Sequence, residues 1–222
     1  MAKVVQDSLL REIDEDLRRE PYGLLRKRYG WMVISVLVAL VLAVAGYEAW
    51  RGYEQRVQAQ SSERFAAATA LAESDPAAAA GAFGELAEEA PRGYEILARL
   101  RQAAMHVEKG DYAAAVSVYD QLAGETADPL YSDLAVILKV MAEMRIAVTP
   151  ADAARLSEQL SPLAAPDRPW QYSARELSAH LALRSGETER ARELLTGLSD
   201  DVQAPDGIRT RAEEMLLEIG RA

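Results

Sequence analysis

Gly110–Ala123 reads GDYAAAVSVYDQLA, and its apolar residues recur at intervals of three and four. Tyr112, Ala115, Val116, Tyr119 and Leu122 fall on one stripe of a helix of 3.6 residues per turn. The glycine and aspartate in front of it supply a turn and a helix start. A second such stripe closes the chain in IRTRAEEMLLEIG, with Ile208, Ala212, Met215, Leu216 and Ile219. No strand-like alternation interrupts the sequence beyond Trp50, so the fold class is all-α.

The helix at Gly110 has a counterpart. LARLRQAAMHVEKGDYAAAVSVYDQLA aligns with ARELSAHLALRSGETERARELLTGLS, placing Gly110 on Gly186, Ala103 on Ala179, Ala115 on Ala191, Tyr119 on Leu195 and Leu122 on Leu198. Small residues at the alanine positions let two antiparallel helices approach closely, and the glycine turns the chain between them. Prolines recur at Pro91, Pro129, Pro169 and Pro205, with separations of 38, 40 and 36. A period of this length belongs to a two-helix repeat. The pattern predicts a long helix to about Glu73, then helices near 76–90, 92–109, 111–124, 129–146, 150–164, 169–185, 187–198 and 205–220, making about four pairs. Small residues at these positions, a Gly-x-Tyr turn and a closing proline resemble the tetratricopeptide repeat. The match is good at Gly110, Tyr112, Ala115 and Tyr119. It is degenerate elsewhere: Thr188 replaces the turn tyrosine, and a middle unit from Tyr131 to Pro166 turns at Val148-Thr149-Pro150. Stacked pairs form one continuous core and a concave surface suited to peptides or protein segments.

Ahead of the repeats, residues 31–47 carry no charge, with Arg26, Lys27 and Arg28 before them and Arg51 after. Nine Val, Ile and Leu residues in this run favour membrane insertion by roughly 3 to 5 kcal/mol. Trp31 and Trp50 would stand roughly 28 Å apart along a helix, close to a hydrocarbon thickness. Trp31, Tyr47 and Trp50 are thus the expected anchors at the two interfaces with membrane lipid. Ala43-Val44-Ala45 has the spacing of a signal-peptidase site, but it lies inside the apolar run, behind some thirty residues half of whose charges are acidic. The run therefore reads as an uncleaved anchor rather than a cleaved signal. A mature N-terminus at Gly46 would overturn this. Arg18, Arg19, Arg26, Lys27 and Arg28 outweigh Arg51, Arg56 and Arg64, which keeps the N-terminus in the cytoplasm. The expected organisation is a cytoplasmic amphipathic segment (1–30), a transmembrane helix (31–50) and a periplasmic TPR-like helical-hairpin solenoid (51–222).

Within the first segment, DSLLREIDEDLRRE puts Leu9, Leu10, Ile13 and Leu17 on one face of a helix opened by Asp7 or Ser8 and closed by Pro21. That face rests on the membrane or a neighbour, or docks a cytoplasmic partner. The formal charge of −10 sits wholly in residues 51–222, because seven Lys/Arg match seven Asp/Glu in residues 1–50. Such a domain repels phosphate backbones, so nucleic acid is not an expected partner.

Catalytic chemistry has little to stand on. The chain has no cysteine, which removes disulfides and thiolate sites, and its two histidines, His106 and His180, read as ordinary helix positions rather than zinc ligands. Gly81-Ala82-Phe83-Gly84 is not a phosphate loop and more simply loosens or closely packs a helix. Glu88-Glu89 and Asp200-Asp201 read as solvated faces or caps, and no Ser, His and Asp signature is found. No cofactor, metal site or catalytic residue is expected. Tyr94, Tyr112, Tyr119 and Tyr131 should fill gaps between stacked helices, and Trp170 should cap the next pair. No residue of the repeats is singled out as a peptide contact.

The order DSLLREIDEDLRRE, LLRKRYG, one apolar span, then GELAEEAPRGYEILARLRQAA resembles the YfgM-type ancillary SecYEG translocon subunit family over nearly the whole chain. The resemblance implies a non-enzymatic, single-pass protein of the bacterial inner membrane. Its partners would be Sec translocon subunits, periplasmic chaperones and exported polypeptides. A scaffold for envelope assembly or division, or a sensor signalling to the cytoplasmic helix, would use the same fold.

Overall fold

A computed structural model describes residues 2–146 and 149–220, with side chains from residue 29 onward. Among the described residues the secondary structure is helical, without strands. The helices are α1 (Ala2–Ala72), α2 (Pro76–Glu89), α3 (Arg92–Glu108), α4 (Tyr112–Glu125) and α5 (Pro129–Glu143). They continue with α6 (Pro150–Leu160), a 3-10 turn (Ser161–Ala164), α7 (Gln171–Arg184), α8 (Thr188–Asp200) and α9 (Asp206–Ile219). The chain divides into two units, Met1–Arg56 and Val57–Ala222.

In the first unit, helix α1 runs through Pro21, where the sequence predicts a stop. Proline removes one N–H from the ladder, and a long helix can lose a single hydrogen bond without ending. The side chains of the predicted amphipathic face, Leu9 to Leu17, lie outside the described residues. Among the described residues, one helix, Tyr29–Ala72 within α1, is long and apolar enough to cross a membrane.

In the second unit the helix starts follow local chemistry. Asp75 accepts from the N–H groups of Ala77 and Ala78 at 3.0 Å, Asp111 from Ala114 at 3.2 Å and Asp128 from Leu130 at 2.9 Å. Each satisfies donors that a helix start leaves orphaned. Thr149 and Asp152 form a reciprocal capping box with Pro150 at the first helical position. The Thr149 hydroxyl and N–H hold the Asp152 carboxyl below its ordinary pKa. The predicted turn at Val148-Thr149-Pro150 is thus described from Thr149 on, and Val148 lies outside the described residues. The four periodic prolines stand at or just before the starts of α3, α5, α7 and α9. Helix α6 ends four residues earlier than the apolar pattern suggests: Pro162 interrupts the ladder and the last turn tightens to 3-10.

The aligned glycines have one job. Among the described residues, Gly110 and Gly186 are those with positive φ, 76° and 81°. At each, the glycine N–H donates to a carbonyl three residues back and the next N–H to one five back: Gly110 to Val107 and Asp111 to His106, Gly186 to Leu183 and Glu187 to Ala182. This is a Schellman ending, which closes one helix of a pair and aims the next.

Packing follows the repeat. Phe65 of α1 meets Phe83 of α2 edge to face at 5.3 Å, in a cluster reaching Ala98 and Met105 of α3. Ala103, Ala115 and Tyr119 join α3 and α4 to Ala142 of α5. Val140, Leu156, Leu160 and Leu181 join α5, α6 and α7, and Ala179, Leu195, Leu198, Ile208 and Ala212 join α7, α8 and α9. Each core therefore spans three successive helices. Val118 is buried beside the predicted stripe while Tyr112 and Val116 are half-buried, because α4 packs on both α3 and α5. A Cβ on Gly84 would lie 2.8 Å from the Gln102 amide nitrogen, so that glycine packs α2 closely on α3.

Nothing lies within 4 Å of a Cβ added at Gly110 or Gly186, so a side chain there meets only backbone strain. Gly186→Ala should lower stability by about 1 to 2 kcal/mol and the melting midpoint by a few degrees. Gly124→Ala, in a helix with ordinary φ, should not lower it. Thermal melts of both variants check this.

Candidate protein-binding groove

Three alternate helices, α5, α7 and α9, border a groove of about 460 Å³. Leu134, Ile137, Leu138 and Met141 line it from α5; Ser173, Glu176, Leu177 and His180 from α7; Arg211 from α9. Trp170, at the cap of α7, closes one end. Helix α5 supplies this floor because it is apolar on more than its core side. Ile137 and Val140 enter the core, while Leu134, Leu138 and Met141 recur at four and three on a neighbouring stripe. Met141 is 49% exposed.

Polar bonds across one repeat frame the groove. The Trp170 indole N–H donates to the Leu130 carbonyl at 2.8 Å, tying the start of α7 to the start of α5. Arg168 pairs with Asp133, a carboxylate that is 2% exposed. At the other end, Arg184 donates to the Met144 carbonyl at 2.6 Å. Between α7 and α9, Arg211 grips Glu176 with two hydrogen bonds of 2.6 and 2.8 Å. The Glu176 carboxylate holds the Arg211 pKa above its ordinary value, with a smaller push from Glu214.

The residues singled out from sequence are distributed as follows. Trp31, Tyr47 and Trp50 on α1 are 81%, 64% and 63% exposed. His106 stands 3.8 Å from Asp111, and His180 faces the groove, so the two histidines belong to different places. No group of three or more His, Asp or Glu among the described residues could hold a metal ion. Glu89 pairs with Arg64 at 2.6 Å on the surface, and Asp201 caps a turn at Gln203. The tyrosines sit between helices: Tyr94 lies 6.2 Å from Phe65, Tyr119 is buried, and Tyr131 packs on Ile96, Leu122 and Ala135. Tyr112 lies beneath the Arg145 guanidinium at 5.8 Å. Trp170 occupies the position just before α7 but makes no capping bond with its side chain; where the sequence predicts a cap over the next pair, the indole reaches back a full repeat to Leu130. The groove itself escaped the sequence reading, although the second apolar stripe of α5 was a visible signal for it.

Helix pairs closed by left-handed glycines, packed through alanines and leaving a groove on alternate helices, define an all-α helical-hairpin repeat protein of the protein-interaction class. Residues 26–197 match the family described as Tetratricopeptide repeat-like domain, and the chain belongs to it. The matched segment begins before the apolar run and ends within α8, so it takes in that run as well as the repeats up to α8. No curated protein and no solved structure matches the chain.

The Glu176–Arg211 bond should behave as a bridge between α7 and α9. Arg211→Met leaves a carboxylate that is 9% exposed without its partner and should cost about 1 to 3 kcal/mol, toward the lower end because the guanidinium side is half exposed. Glu176→Met with Arg211→Met should recover most of that loss. Urea denaturation of both single variants and the double variant measures it; single losses that simply add in the double variant would mean that the pair does not bridge.

Proposed function

We propose that the protein is a non-enzymatic, membrane-anchored adaptor that binds other proteins through its repeats. The observation that carries this is the presence in one chain of a helix apolar enough to span a membrane, with its large side chains exposed, and a repeat domain with an apolar-floored groove. The single family match over both parts supports treating them as one architecture.

In this proposal residues 1–30 are cytoplasmic, 31–50 span the inner membrane and 51–222 lie in the periplasm. The excess of Arg and Lys before the span supports that orientation. Trp31 sits at the inner interface and Tyr47 and Trp50 at the outer one, where amphipathic rings favour the headgroup level. The partners we propose, on the YfgM-type resemblance, are Sec translocon subunits and periplasmic chaperones, with exported chains handed between them. A scaffold for envelope assembly is the second reading, since the same groove would serve folded partners.

Crosslinking in intact cells, followed by purification in mild detergent, tests the choice. Translocon subunits and a periplasmic chaperone should be recovered together. Recovery of envelope-assembly proteins without either would favour the scaffold. Alkaline phosphatase fused to the C-terminus should be active, and an inactive fusion would refute the orientation.

A further inference from the structure

We propose that the groove across α5, α7 and α9 takes an extended polypeptide segment that is apolar and net basic, and that it does not read a free C-terminal carboxylate. This deepens the adaptor reading and rests on it.

The floor sets the apolar requirement. Leu134 and Met141 belong to none of the buried clusters, so they are apolar surface that the core does not use. Methionine adapts its shape to varied partners, which suits a site that accepts many sequences.

The walls set the charge. Among the described residues lining the groove, the arginine is Arg211, and two of its nitrogens are already committed to Glu176. A carboxylate ligand would meet only the third guanidinium nitrogen, beside the Glu176 carboxylate and within reach of the Glu214 charge, which opposes anion binding. Further along the same face of α9, three and seven residues beyond Arg211, stand Glu214 and Glu218, both exposed. Neither lines the groove, but Glu214 is close enough to act on Arg211, so negative charge stands beside the groove's α9 edge, while the Arg168 and Arg184 guanidiniums at its two ends are engaged by Asp133 and the Met144 carbonyl. The whole excess of negative charge also lies in residues 51–222. Together these draw in cationic segments and repel acidic ones.

The test uses the full chain in phosphatidylcholine nanodiscs, with empty discs as reference and fluorescence anisotropy of labelled peptides as readout. Four twelve-residue probes separate the requirements: Leu/Lys with an amidated end, Leu/Lys with a free carboxylate, Leu/Glu, and Ser/Lys. Amidated Leu/Lys should bind about tenfold or more tighter than Leu/Glu and Ser/Lys, and the two Leu/Lys forms should bind alike. Met141→Lys should weaken binding about tenfold, with Met141→Leu retaining it. Glu214→Lys, on an exposed position, should weaken binding severalfold and flatten its salt dependence. Equal binding of Leu/Glu, a strong preference for the free carboxylate, or indifference to Met141→Lys would each overturn the proposal. So would a chain that is dimeric by light scattering and becomes monomeric with Met141→Lys, because a second copy would then fill the groove. Partners that still copurify with Met141→Lys would sink the groove but leave the adaptor standing. Absence of any partner from the unsubstituted chain would sink the adaptor.

Discussion

Close approach of helix backbones, through side chains no larger than a methyl group, is the condition on which the repeat unit rests. Ala103, Ala115, Ala179 and Ala191 have no exposed surface, and they occupy equivalent places in two helix pairs. A larger residue there would push the helices apart and separate Tyr119, Leu122, Leu195 and Leu198 from what they cover, since close-packed interiors do not absorb added volume. The left-handed glycines follow from the same condition. Two helices that approach so closely need a tight reversal, and Gly110 and Gly186 provide it without a Cβ penalty. One pair still leaves an apolar face uncovered, so each core is completed by the next helix along.

Small residues inside the pairs leave little to fix the spacing between alternate helices, and polar bonds take over that task. Trp170 to Leu130, Arg168 to Asp133, Arg184 to Met144 and Arg211 to Glu176 each join residues 35 to 40 positions apart, which is one repeat. Each such bond contributes only about 0.5 to 3 kcal/mol, the larger values for charged partners. Their position matters more than their sum. They sit at the ends and one side of the groove, so its width is set by directional contacts rather than by apolar collapse into it.

What the sequence made legible was whatever repeats locally. The proline spacing predicted the starts of α3, α5, α7 and α9, and the glycine alignment predicted two turns that share a backbone geometry to within a few degrees. Pro162 cut α6 short because a proline acts on the ladder in front of it, which an apolar count does not register. Nothing in the local sequence marks Asp133 and Glu176 as buried, since their burial depends on Arg168 and Arg211, both 35 residues away. Helix α5 presents a related difficulty. Its apolar residues exceed what one core can cover, and periodicity alone cannot say which stripe is left over. The groove is made of that remainder.

The size of the groove bears on why an anchor and a repeat domain would share a chain. A volume of about 460 Å³ accommodates one or two large side chains. Burying about 200 Å² of apolar surface stabilises a complex by about 5 kcal/mol, and ordering even a short extended segment costs about 1 to 2 kcal/mol per residue of backbone. For a segment of two or three residues the two nearly cancel, so the groove's own contacts give dissociation constants of about a millimolar or weaker, too weak for a freely diffusing partner at low concentration. Tethering changes the comparison. Two sites held on one membrane through short flexible connections meet at effective concentrations of about a millimolar, where such a groove is occupied part of the time and releases its occupant quickly. In the proposed arrangement the anchor therefore provides the local concentration that the groove's own contacts do not, and the same weakness lets a chain be passed on.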